Sequence, residues 1–151
     1  FRRVLFRSER VERVGQEILA DAMIPNLLAK SDAARKSPRR GAIEAGLRQT
    51  IMATPISTIV AALAALGGRP DMVEPMRRVT APTLLVVGAE DTITPPECLE
   101  RAERVFPHAR LLIVPRCGHM TPLEDPATFN AAVLEFLRAA AGHPAVPEAA
   151  G

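Results

Sequence analysis

Two unbroken apolar runs in the second half of the chain constrain its fold most. Leu84-Leu-Val-Val87 lies between Pro82 and Gly88, and Leu111-Leu-Ile-Val114 precedes Pro115. Runs this short and this apolar suit strands covered on both faces, as in a parallel sheet. The segment between them predicts a helix. Thr94-Pro-Pro-Glu97 has the form of a capping box with Pro96 in the first turn, Leu99, Ala102 and Val105 point inward, and Pro107 closes the helix. A last helix opens at Asp125-Pro126, carries Phe129, Ala132, Val133, Phe136 and Leu137 as its core stripe, and ends at Gly142. The order strand–helix–strand–helix implies a right-handed crossover between parallel strands. Both strands then end at one edge of the sheet, where ligands of open α/β sheets bind.

The first half has a different period. Val11, Val14, Ile18 and Leu19 predict a helix over 9–23, interrupted by Pro25. Residues 30–40 are polar and read as irregular, with Ser37-Pro38 as a turn. Ile43, Leu47 and Ile51 mark one face of a helix over 41–52. Thr54 and Pro55 then serve as N-cap and first position of another helix, with Ile56, Ile59, Val60, Leu63 and Leu66 on its apolar side. Gly67-Gly68 ends it in the left-handed geometry that glycine tolerates. The expected fold class is α/β, two parallel strands with helices, preceded by a helical layer without strands.

The ends read differently from the body. Residues 1–8 do not join naturally to the helical pattern that begins at Glu9, and they back-translate to a stretch that resembles a common sequencing-adapter tail. They are expected to be an artefactual leader. The expected organisation is a leader over 1–8, a helical segment over 9–68, an α/β segment over 69–142 and a loose tail over 143–151.

Composition narrows the function classes. With 151 residues, 48% of them hydrophobic, the chain can bury the core of one domain. Its formal net charge is +2, and its cationic clusters, such as Arg35-Lys36 and Arg39-Arg40, carry no interleaved aromatics. That excludes a nucleic-acid surface as the leading reading. No apolar run approaches the roughly 18 residues that a membrane span needs. Two cysteines, Cys98 and Cys117, make no disulfide framework, so reduced thiols and a cytoplasmic location are expected. Ala- and Arg-rich usage with few lysines resembles proteins of GC-rich bacterial genomes.

The chemistry lies in the two loops beyond the strands. Asp91 comes four residues after Val87, and His119 five residues after Val114. If both strands end at one edge, these side chains can meet. A carboxylate bonded to one imidazole nitrogen fixes the tautomer and stabilises the imidazolium formed at the other. Histidine titrates near neutral pH, as such a base requires. Gly88 is expected to permit the exit from the first strand and Gly118 a tight turn before His119. Glu90 is the competing carboxylate, expected to face solvent or a partner loop. His108 and His143 read as surface residues. Cys117-Gly-His119 has no second ligand pair at zinc spacing, so no metal is expected.

The stretch from Ala81 to Pro96 resembles the penultimate strand and acid loop of α/β-hydrolases. Cys117 to Pro126, followed by Phe129-Asn130 and Phe136-Leu137, resembles their catalytic-histidine loop and last helix. The resemblance covers residues 79–140. It implies Asp91 as the acid of a triad, His119 as the general base, and 9–68 as the later part of a cap over the active site. Arg69-Pro-Asp71 resembles the cap-to-core return of the 3-oxoadipate enol-lactonase-like branch. Such enzymes carry their nucleophile on a G-x-S-x-G elbow ahead of the cap. Ser8, Ser31, Ser37 and Ser57 lack that context, and Cys98 and Cys117 are poor substitutes. The resemblance thus implies the C-terminal part of a cofactor-free hydrolase of a carboxylic ester or lactone, its nucleophile absent from this chain and the chain alone inactive. An aspartate nucleophile, as in dehalogenases and epoxide hydrolases, stays open. The alternative is a non-catalytic α/β binding module. The expected partner is a small-molecule ester or lactone, not nucleic acid or membrane.

Overall fold

The computed structural model describes residues 8–142, with side chains from Gly15 onward. The expected tail, His143 within it, lies outside the described residues. So does the expected leader, apart from the backbone of Ser8.

Five helices come first: α1 (Ser8–Leu27), α2 (Asp32–Arg35), α3 (Arg40–Ala53), α4 (Ile56–Gly67) and α5 (Val73–Arg77). Then come β1 (Thr83–Gly88), α6 (Pro96–Glu103), β2 (Ala109–Val114), α7 (Thr121–Glu124) and α8 (Pro126–Ala140). The two strands pair in parallel, from Thr83 opposite Ala109 to Gly88 opposite Val114. Their carboxyl ends therefore lie side by side, as the crossover requires. Among the described residues no single helix is long and apolar enough to cross a membrane.

Several local expectations are corrected. Helix α1 runs through Pro25 to Leu27 instead of ending at residue 23. Proline removes one backbone donor, which a last turn tolerates better than a helix centre. The same helix is broken earlier, at Gly15, whose φ of 75° and ψ of 173° only glycine adopts readily. That break resets the helical phase. Leu19, Ala20, Ile24 and Leu28 are buried, whereas Ile18, expected on the apolar face, is 55% exposed. Val11 and Val14 lie outside the described side chains.

The polar stretch after Lys30 holds one helical turn, α2, because the Ser31 hydroxyl accepts from the Ala34 amide. Thr54 closes α3, and Pro55 takes the cap position of α4. The chain turns between these helices, so Thr54 faces back to α3 and its hydroxyl donates to the Thr50 carbonyl at 2.7 Å. Gly68 ends α4 at φ −91°, outside the left-handed region, while Gly142 beyond α8 does adopt it, at φ 74°. On α8, Phe129, Ala132, Val133 and Phe136 are half-buried, but Leu137 is exposed. Asp125 caps α8 as expected, accepting from the Thr128 amide at 3.1 Å.

The core is small and lies where the two layers meet. Helix α1 packs on α3 and α4. Ala20, Ile24 and Leu28 form a buried cluster, flanked by Leu27, Ile43, Leu47, Ile51 and Met120. The Gln16 side-chain amide lies among the last carbonyls of α3, at 3.2 Å from that of Ile51 and 3.1 Å from that of Met52. Arg48 and Asp21 form an ion pair across the same interface. Across the junction, Val87 and Val114 at the strand ends and Cys117 beyond β2 are buried. Helices α3, α4, α6 and α8 contribute no buried residue.

Candidate active site

Asp91 and His119 meet at the shared edge of β1 and β2. The chain leaves β1 in a turn closed by the Asp91 amide donating to the Gly88 carbonyl at 3.1 Å. The Asp91 carboxylate then folds back on its own loop. Oδ1 accepts from the amides of Ile93 at 2.8 Å and Thr94 at 3.0 Å. Oδ2 accepts from the Thr94 hydroxyl at 2.8 Å and meets His119 Nδ1 at 2.8 Å. Asp91 is 5% exposed, so its charge is held almost out of solvent. Burial pushes its carboxyl upward, but the hydrogen bonds from His119, Thr94 and Ile93 outweigh burial and hold it below the usual carboxylate value. The ionised carboxylate accepts only, so Nδ1 carries the proton and donates to it. Nε2 is then left to take a proton. The His119 side chain is 36% exposed, against 4% for that of Asp91. A buried carboxylate thus orients an accessible imidazole.

Thr94 is the site residue that sequence reasoning placed wrongly. Its expected role was to cap α6, but that helix starts at Pro96 with no side-chain cap. Thr94 turns to Asp91 instead and lies 3.3 Å from His119 Nδ1. A carboxylate three residues before a threonine is itself a turn signal, since Asp side chains bond amides a few residues on.

The reasons for the two loop glycines also change. The turn before His119 is made at Arg116, in the left-handed region at φ 57°, and not at Gly118. Glycine is needed at 118 for close approach. A Cβ there would lie 2.7 Å from the Ala29 nitrogen and the Leu28 carbonyl carbon. A Cβ on Gly88 would lie 2.2 Å from the carbonyl oxygens of Cys117 and Gly118. The end of β1, the His119 loop and the end of α1 are therefore stacked backbone on backbone.

The carbonyl of Leu27, left over at the end of α1, accepts from the amides of His119 at 2.8 Å and Met120 at 3.2 Å. Two carboxylates clamp the next residues. Glu90 Oε2 accepts from the amides of Lys30 and Ser31, each at 2.8 Å. Burial pushes the Glu90 carboxyl up, and the bonds from Ser31 and Lys30 bring it net below its ordinary value. Glu90 thus faces a partner loop, one of its two expected settings. Glu124 Oε1 and Oε2 accept from the amides of Gly118 and Ala29, each at 2.7 Å.

The other candidate nucleophiles stand apart from the pair. Cys117 is 2% exposed, and burial, reinforced by Glu124, Asp125 and Glu90, pushes its thiol up to about 11. It stays protonated and unreactive. Cys98 lies on α6 and accepts from Arg101 at 3.4 Å. Ser31 caps α2, Ser37 accepts from the Arg39 amide, and Ser57 lies on α4. His108 is exposed, as expected.

A sequence profile of the alpha/beta hydrolase family matches residues 4–132. The chain belongs to that family. A thermophilic esterase from Thermogutta terrifontis shares 32% identity and superposes with a TM-score of 0.80, over 92% of this chain and 48% of the esterase. The enol-lactonase from Burkholderia xenovorans LB400 superposes at 0.77 with 21% identity, over 87% of this chain and 48% of its own, a likeness of fold alone. Among curated sequences, the pimeloyl-(acyl-carrier protein) methyl ester esterase of Nitrosospira multiformis is 30% identical over 104 residues, 69% of this chain and 33% of that protein. The chain spans about a quarter to a third of the first curated relatives it matches, and about half of the solved structures.

Proposed function

We propose that this chain supplies the acid and the base of a hydrolase acting on a carboxylic ester or lactone. The observation that carries the reading is the 2.8 Å bond between the buried Asp91 and His119 Nδ1, with Nε2 left to act. The similarity to esterases favours an ester as substrate. The nucleophile belongs to an elbow on a segment ahead of residue 9 in the parent protein, since no serine here has that setting. Residues 9–68 are the later part of the cap, and 69–142 carry the core strands. The setting is cytoplasmic, and the substrate is a small molecule.

The nucleophile attacks the ester carbonyl while Nε2 of His119 takes its proton. Asp91 holds the ring in the Nδ1–H tautomer and stabilises the imidazolium. The proton then passes to the leaving alcohol, and a water activated by Nε2 releases the acid. Nucleophile, base and acid are all side chains, so this scheme needs no cofactor.

One match favours a second reading. Bifunctional epoxide hydrolase 2 of Sus scrofa is 30% identical over 70 residues. An aspartate on the elbow would use the same histidine to activate water against an alkyl-enzyme ester. Single turnover in oxygen-18 water separates the two, because an aspartate nucleophile retains the label in the protein.

The test uses the protein extended through the coding sequence upstream of Glu9, assayed with p-nitrophenyl esters. His119→Ala is expected to lower kcat about 10⁴-fold with KM little changed, at the upper end for loss of a general base. Undiminished esterase activity in that variant would end the assignment.

A further inference from the structure

Glu124 closes the short helix after His119, and its two oxygens go to two different parts of the chain. One accepts from the Gly118 amide, immediately before His119, and the other from the Ala29 amide, just beyond α1. Between these points the His119 amide donates to the Leu27 carbonyl. A closed ring of bonds therefore runs from Glu124 through Gly118 and His119 to Leu27, and back through Ala29. Gly118 leaves no gap inside it, because its backbone touches that of Leu28 and Ala29. Bonds to an ionised carboxylate are the stronger kind. Only a carboxylate offers two equivalent acceptors at this reach, since a glutamine would turn its amide group toward one of the two donors.

We propose that Glu124 is a positioning residue for His119: by tying the Gly118 and Ala29 amides together it fixes the backbone from which the imidazole reaches Asp91. The role rests on the reading of Asp91 and His119 as acid and base. Glu124 acts through the backbone on either side of it. Glu90 clamps the neighbouring Lys30 and Ser31 amides, but its carboxylate makes no bond to residues 118–120. That difference supplies the control.

The measurement is the pair of imidazole nitrogen-15 resonances of His119 in the 151-residue chain, above the pH at which the ring is neutral. In the unsubstituted chain they are expected far apart, as in a single Nδ1–H tautomer. Glu124→Gln is expected to lose most of that separation as the ring averages between tautomers, with helix content by circular dichroism unchanged. Glu90→Gln is expected to lower the melting temperature and leave the separation intact. A folded Glu124→Gln with the full separation overturns the proposal, and so does equal loss in both variants, which marks mere scaffolding. Should Glu124→Gln fail to fold, Glu124→Asp decides. It keeps the charge but reaches only one amide, so loss of separation supports the proposal and retention overturns it. Averaged resonances in the unsubstituted chain would remove the Asp91–His119 pairing itself, and this proposal with it.

Discussion

Helix α4 is more apolar than the carboxyl half of α1, yet only α1 is buried. Its Leu19, Ala20 and Ile24, and Leu28 just beyond its end, are at most 6% exposed, while α4 has no buried residue and leaves Leu66 37% exposed. What separates them is what each meets. The end of α1 meets the backbone of the His119 loop and the Glu90 carboxylate of the Asp91 loop, and its leftover carbonyl and the amides beyond it are taken up by His119, Met120, Glu124 and Glu90. Among the described residues, helix α4 packs chiefly on α1 along one side. Burial here tracks polar docking at the site more closely than it tracks apolar content.

Substitutions at glycine probe that contrast most sharply. Gly88→Ala and Gly118→Ala each force a methyl into backbone, and either should cost about 3 kcal/mol or more in urea unfolding, beyond the usual range for overpacking. A loss below about 1 kcal/mol would show that the stacked loops separate easily. Leucine truncation comes next. Leu28→Ala at 1% exposure should cost about 3 kcal/mol, and Leu66→Ala under about 1 kcal/mol. Equal losses would break the comparison.

Acid sensitivity is the next contrast. The folded Asp91 carboxyl lies below its ordinary value of 3.8. Its contribution to stability is therefore fully present above 3.8 and is lost as pH falls through the lower, folded value. Glu90 acts in the same direction from 4.5. Asp91→Asn should flatten the acid limb of melting temperature against pH, and an unchanged limb would remove Asp91 from the account. The smallest effect is expected away from the site. Gly46 on α3 faces open space, so Gly46→Ala should raise stability by about 0.5–1 kcal/mol.

Much of the site was legible in the sequence because the strand period and loop lengths fix where Asp91 and His119 fall. Parallel strands in register bring those loops together with no long-range information beyond the crossover rule. The roles of Thr94, Glu124 and Leu27 were not legible. Thr94 sits in a pattern that fits a helix cap equally well, and the choice depends on a carboxylate nearby in space. Glu124 and Ala29 are 95 residues apart, so nothing local marks their bond. The burial of α1 was half legible, since its periodicity showed a helix but the break at Gly15 moved the buried face away from Ile18. On α8 the pattern pointed Leu137 inward, where the structure leaves it 55% exposed, because periodicity gives a face and not the extent of what covers it.

The central claim is that Asp91 and His119 act as one unit on the reaction. The most direct test is a double-variant cycle on kcat in the enzyme extended upstream of Glu9. Asp91→Asn alone should lower kcat about 10⁴-fold by loss of the tautomer. Added to His119→Ala, it should lower kcat no further, because residues of one unit are not additive. Losses that multiply in the double variant would contradict the account, since the two side chains would then be working independently.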